Sequence, residues 1–182
     1  MTAGHLAVID MQRVFADPAS PWAAPRFADA AAGVRTLLPA FAARVTFTRF
    51  LAPERPTGAW RAYYDRWPFA RRPPDAELWD LDGEFAPQAD VLDTTTFGKW
   101  TPELAARLGP GDRLVLAGVS TDCCVLSTAL AAADAGTEVL VVADACAGAD
   151  DDSHLKALQL MDLYRPLIQV TTIARLLAEP GP

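Results

Sequence analysis

Residues 113–125 read RLVLAGVSTDCCV: an apolar run closed by Gly118, a polar step through Ser120, Thr121 and Asp122, and two adjacent cysteines, Cys123 and Cys124. An unbroken apolar run of this length, without alternation, fits a parallel strand covered on both faces. Beyond it the pattern becomes helical from Cys124 to Ala135, and Gly136 stands where a helix C′ glycine belongs. Strand, tight step and helix together put both cysteines at the carboxyl end of a strand and the amino end of a helix.

The same unit recurs on either side. Short strand-like runs occur at His5–Asp10 (HLAVID), Arg44–Phe50 (RVTFTRF), Asp90–Thr95 (DVLDTT), Glu138–Ala143 (EVLVVA) and Leu167–Thr171 (LIQVT). Between them, Phe27, Ala31, Val34, Leu38 and Phe41 recur at helical spacing, Ser153 to Tyr164 reads as another helix, and Thr101-Pro102-Glu103 starts a short one through Leu108. Alternating β and α elements predict an α/β fold, with residues 1–182 as one domain. The expected architecture is a doubly wound parallel sheet of about six strands, order 3-2-1-4-5-6, with helices on both faces. Residues 53–74 depart from the pattern: Trp60, Tyr63, Tyr64, Trp67 and Phe69 are mixed with Arg and Pro, an excursion over the sheet. Residues 179–182 read as a frayed tail.

Composition narrows the partners. A chain of 182 residues with 51% hydrophobic and 21% charged residues has the make-up of a globular domain. A net charge of −7 and the lack of any Lys/Arg block argue against nucleic acid or an anionic membrane surface. No apolar run is long enough for a membrane span, and no signal-type leader opens the sequence. Three cysteines, two of them adjacent, make a poor disulfide framework and point to reduced thiols in a cytoplasm.

Ligands of open parallel sheets bind beyond the strand carboxyl ends where the strand order reverses. In the expected order the first and fourth strands are neighbours there, so Asp10, ending the first, meets Cys124. A thiolate at a helix amino end is favoured by the dipole and unsatisfied N–H groups, and a nearby carboxylate can accept the thiol proton. The only histidines are His5 and His154, neither in a catalytic-looking loop, so a carboxylate is the available base.

Leu6-Ala7-Val8-Ile9-Asp10-Met11-Gln12 followed by Phe15, and Leu116 through Val125 followed by Thr128-Ala129 and Ala135-Gly136, resemble the two signature segments of the isochorismatase-like cysteine hydrolases. Ala143-Asp144-Ala145, His154 and Met161 fit the same pattern. The resemblance implies an Asp–Lys–Cys triad hydrolysing a small amide or carbamoyl substrate through a thioester, with Cys124, the cysteine before Val, as nucleophile. It also implies a non-proline cis peptide at Val119–Ser120, an oxyanion hole from the N–H groups of Ser120 and Cys124, no cofactor, and a homodimer or homotetramer.

Two departures stand out. The family's lysine position aligns with Thr94, whereas Lys99 lies five residues later; the chain's only other lysine is Lys156. The third strand is about 10 Å from the first, so Lys99 can complete the triad only if its loop returns across the crevice. Where metal-binding relatives carry an Asp-x-His pair, this chain has Thr48-Arg49-Phe50, so no metal site of that kind is expected.

Phe15 and Trp100 are the expected substrate-binding residues because they follow the motif residues closely, and Arg49 is a candidate partner for a substrate carboxylate. Cys123 and Cys146 read as packing residues, Asp122 as a helix cap, His154 as a helix-start residue, and Asp144 as ordering the loop after the fifth strand. The aromatic segment reads as core or subunit interface. Two other readings remain open: an isochorismatase-type hydrolase using Asp10 without a covalent step, and a non-catalytic or redox protein on the same fold.

Overall fold

The structure, a computed structural model, describes residues 4–85 and 91–178. Its centre is one six-stranded sheet in the order β3-β2-β1-β4-β5-β6, every pair parallel. The strands are β1 (His5–Ile9), β2 (Val45–Phe50), β3 (Val91–Thr94), β4 (Leu114–Val119), β5 (Val139–Ala147) and β6 (Ile168–Thr171). Asp90 and residues 179–182 lie outside the described residues.

Both faces of β1 and β4 are buried, which is why their sequences do not alternate. Successive side chains still point to opposite faces. Leu6 and Val8, with Val115, Ala117 and Val119, join one core cluster, beneath α2 (Phe27–Phe41) and Leu176 of α7 (Ile173–Ala178). Ala7 and Ile9, with Leu114 and Leu116, join the other, under α4 (Pro102–Ala105), α5 (Leu126–Asp134) and α6 (Asp151–Asp162). Each such fully buried Leu, Val or Ile contributes about 1.5–3 kcal/mol of transfer free energy. At Gly33 of α2 a Cβ would lie 2.7 Å from the Ala145 Cα, so this helix sits closer to β5 than a side chain allows. Among the described residues no helix is long and apolar enough to cross a membrane.

Several boundaries differ from the sequence reading for identifiable reasons. β5 runs on to Ala147 because its pairing with β4 shifts register between Leu116 and Gly118; the extra length carries Asp144, whose Oδ1 accepts from Ile173 N at 2.8 Å and caps α7. The helix expected from Cys124 opens instead with a wide π turn, Thr121–Val125, before α5. α6 starts at Asp151 because Asp150 caps it, accepting from Ser153 N at 2.7 Å. The single turn α1 (Arg13–Ala16), too short to show periodicity, and α7 are additional.

The segment after β2 forms α3 (Trp60–Arg66) and short 3-10 turns. Tyr64 is fully buried, and Trp60, Tyr63, Trp67 and Phe69 pack among themselves and around Trp22, Phe50 and Phe97.

Candidate active site

Strand β1 delivers Asp10 one residue past its end, next to Gly118 of β4, which pairs with Ile9. The fit is tight: a Cβ on Gly118, whose φ is +115°, would lie 2.1 Å from the Ile9 carbonyl oxygen. Asp10 itself turns through the left-handed region at φ 48°, a conformation that costs a residue with a side chain about 1–2 kcal/mol and that Asp tolerates better than most. Thr48 of β2 holds it there. The Thr48 hydroxyl donates to Asp10 Oδ1 at 2.7 Å and accepts from Asp10 N at 3.2 Å.

Lys99 does come back across the crevice. Its Nζ stands 3.0 Å from Asp10 Oδ2, and both side chains are 0% exposed. The ammonium donates to Thr94 Oγ1 and to the Thr96 carbonyl, each at 2.9 Å, and lies 5.1 Å from the centre of the Phe50 ring. Its backbone N–H donates to Thr128 Oγ1 at 2.9 Å, and that hydroxyl donates to the Cys124 carbonyl at 2.6 Å. The loop carrying the lysine is thus fastened to the helix that carries the cysteine. Thr94, at the aligned lysine position, anchors the lysine that reaches back to it.

With the ammonium directed at Thr94 and Thr96, Asp10 Oδ2 is buried and ion-paired yet lacks a hydrogen-bond partner. A buried carboxylate oxygen in that condition has an accepting position free for a proton donor. Cys124 is the thiol beside it. Its pKa is held well above the ordinary thiol range by a hydrogen bond with Cys123, by burial and by the Asp10 charge, with Lys99 opposing. The resting group is therefore a neutral thiol next to a carboxylate. A neutral thiol beside an acid that can take its proton is the pairing expected from the sequence.

The cysteines form the floor of a cavity of about 350 Å³. Phe15, Trp22, Phe50, Tyr63, Trp67 and Phe97 wall it, with Ser120 and Asp122 at its base. The Val119–Ser120 peptide is cis. Burial together with the neighbouring thiols pushes the Tyr63 phenol well above its usual value.

Phe15 lines the cavity, but Trp100 does not. It follows Lys99 on a backbone that turns the lysine inward, and it packs against the core cluster that includes Leu104, Cys124 and Val125. Arg49 is also elsewhere: the β2–β3 register sets it opposite Asp93, to which its Nε and Nη2 donate at 2.8 and 2.7 Å. Cys123 is half-buried: it packs against the core, as expected, and also lines the cavity. Asp122 does not cap its own helix; its Oδ1 accepts from Ala149 N at 2.9 Å and ties down the loop before α6. His154 Nδ1 bonds Thr121 Oγ1 at 2.8 Å, outside the cavity, and burial lowers its pKa. Among the described residues no group of three or more His, Cys, Asp or Glu is placed to hold a metal ion.

The sequence reading missed Trp22 and Phe97, which come from irregular segments with no period to mark them. It also missed Gln12. That buried amide donates to the Phe50 and Trp79 carbonyls at 3.0 and 2.7 Å and accepts from Phe50 N at 2.8 Å, clasping the cavity wall to the residue two after Asp10.

Comparison with known proteins places this arrangement in context. The isochorismatase domain model matches residues 5–175. Over 70 residues the chain is 43% identical to isochorismatase domain-containing protein 2 of Xenopus laevis; the match spans 37% of this chain and 34% of that protein, about a third of the relative's length. A cysteine hydrolase from Pseudomonas syringae pv. phaseolicola superposes with a TM-score of 0.81 at 21% identity, covering 96% of this chain and 90% of the other. An isochorismatase family protein from Desulfovibrio vulgaris gives 0.81 at 20% identity, covering 97% of each chain. The nicotinamidase of Bacillus subtilis gives 0.72 at 21% identity, covering 93% of this chain and 99% of the other. At these identities the structural likeness is one of fold.

Proposed function

The chain belongs to the isochorismatase family, whose members include cysteine hydrolases and nicotinamidases, and from that premise we propose that it hydrolyses a small amide or carbamoyl compound through a thioester on Cys124. The observation that carries this reading is Asp10 Oδ2: buried, ion-paired with Lys99, without a hydrogen-bond partner, and near enough to Cys124 for its charge to raise the thiol pKa.

The steps follow from that arrangement. As the substrate fills the cavity, Asp10 takes the Cys124 proton and the sulfur attacks the carbonyl carbon. The oxyanion is received by the N–H groups of Ser120 and Cys124 at the opening of the π turn. Protonated Asp10 gives its proton to the departing nitrogen, the C–N bond breaks, and ammonia or an amine leaves. Asp10 then takes a proton from water, whose oxygen attacks the thioester, and the thiolate leaves and is reprotonated. Lys99 supplies positive charge throughout: it pairs with Asp10 before attack and offsets the sulfur's charge during it.

The cavity bears on the substrate. Its walls are mostly aromatic, and Arg49, the candidate carboxylate partner, is bound to Asp93 away from it. An uncharged acyl group fits such walls.

The test is release of ammonia or amine from a panel of small amides and carbamoyl compounds by the chain and by Cys124→Ala. The variant is expected to keep its circular dichroism and melting behaviour while losing about 10⁶-fold in turnover, the order lost when a nucleophile acting in a unit is removed. Turnover retained by Cys124→Ala would overturn the covalent route and favour the Asp10-only reading.

A further inference from the structure

Two thiols stand side by side at the floor of the cavity, and the proposed hydrolysis uses one of them. Cys123 and Cys124 are both free, consecutive in sequence and part of the same cavity lining. The third thiol is out of reach: Cys146 is buried in β5, directed at the Leu116 carbonyl at 3.9 Å, and does not line the cavity.

We propose that Cys123 and Cys124 form a dithiol binding site for trivalent organoarsenicals that carry a single aromatic substituent. A soft trivalent centre prefers sulfur ligands, and two consecutive thiols lining one cavity can supply two of them. The second arsenic–sulfur bond is then intramolecular, so it forms at an effective concentration far above that of a free thiol. Three-coordinate arsenic has one position left. With no third thiol to fill it, that position faces the cavity, where Phe15, Trp22, Phe50, Tyr63, Trp67 and Phe97 offer ring faces and edges to an aryl group. Bare arsenite has no such group and finds only two sulfurs, so the site discriminates in favour of the aryl compound.

The chemistry balances without an oxidant. An arylarsenoxide, Ar–As=O, reacts with the two S–H groups to form Ar–As bridged by two As–S bonds, and the oxygen leaves with both protons as water. Arsenic remains trivalent throughout.

The experiment uses the full chain, reduced and substrate-free, with phenylarsine oxide as probe, so its outcome does not depend on whether an amide is hydrolysed. Intact mass is expected to show one adduct equal to the reagent less one water. Peptide mapping after maleimide is expected to show Cys123 and Cys124 protected together, with Cys146 unaffected by the reagent. An equimolar dithiol should strip the adduct and an equimolar monothiol should not. Cys123→Ser is expected to weaken retention at least 100-fold, and arsenite to bind at least 10-fold more weakly than the aryl compound. The proposal is overturned if the monothiol strips the adduct, if only one cysteine is protected, or if Cys123→Ser holds the reagent as tightly as the parent. Because mapping of the parent chain reads the same bridge, a variant that fails to fold leaves the question decidable.

Discussion

Lys99 follows Thr94 by five residues, yet its ammonium returns to donate to the Thr94 hydroxyl at 2.9 Å while standing 3.0 Å from Asp10 Oδ2. The lysine thus approaches the acid from a loop, and a threonine occupies the strand position that the family pattern gives to the cation.

Removing the charge should expose what it neutralises. Lys99→Met leaves a buried carboxylate without its cation, and breaking one side of a buried pair costs about 3–5 kcal/mol. We expect urea unfolding to show a loss of that order and turnover to fall at least 100-fold. Asp10→Asn combined with Lys99→Met should be less destabilising than the sum of the single changes. Strict additivity in that cycle would mean that the ion pair contributes nothing as a pair.

The acid has an effect on the thiol that a purely structural residue would lack. The Asp10 charge raises the Cys124 pKa and Lys99 lowers it. Asp10→Asn removes the first influence and leaves the second, so the thiol should ionise at lower pH. The rate of alkylation by iodoacetamide, followed against pH at Cys124 by mass mapping, is therefore expected to shift its midpoint downward. Hydrolysis should nevertheless fall at least 10³-fold, since the proton acceptor and later donor is gone. A thiol that titrates unchanged would show that Asp10 and Cys124 are not in electrostatic contact.

Two glycines with positive φ separate strain from collision. A Cβ at Gly136 (φ +86°) meets nothing within 4 Å, whereas at Gly118 (φ +115°) it meets the Ile9 oxygen at 2.1 Å. Gly136→Ala should cost only the left-handed penalty, about 1–2 kcal/mol. Gly118→Ala must also push β1 and β4 apart beside Asp10, so its loss in chemical denaturation is expected to exceed that of Gly136→Ala by at least 2 kcal/mol, the scale of an overpacked core. Equal losses would remove the claim of a forced close approach.

Trp22 holds the cavity wall together. Its ring lies 5.0–6.3 Å from those of Phe15, Phe50, Tyr63, Trp67, Phe69 and Trp79. Trp22→Ala is expected to raise KM at least 10-fold for any substrate found and to lower kcat less, because the reacting groups sit on other elements. Trp22→Phe should recover most of the binding. An unchanged KM in Trp22→Ala would place the substrate elsewhere.

How much of this was legible beforehand depended on whether a residue belongs to something periodic. β1 and β4 are apolar throughout because both faces are covered, and the strand order then puts Asp10 beside Cys124. Lys99 could be named from its scarcity but placed only by a loop path that no periodicity encodes. Trp100 follows the same logic: adjacency to Lys99 in sequence says nothing of direction, and while Lys99 meets Asp10, Trp100 packs against a core cluster and not in the cavity lining. The aromatic excursion read as core or subunit interface rather than substrate pocket; Tyr64 is core, but Tyr63 and Trp67 line the cavity, and the partners that bring them there, Trp22 and Phe97, lie in irregular segments far away in sequence.

The Gln12 clasp ties specificity to reactivity. One buried amide grips Phe50 and Trp79 while its own backbone continues the turn that begins at Asp10. Remodelling of the aromatic enclosure for a bulkier guest is therefore transmitted through two residues of main chain to Asp10, the proposed proton acceptor. A lineage of such hydrolases acquiring new substrates would have to readjust its acid each time, or first replace that glutamine and uncouple the two.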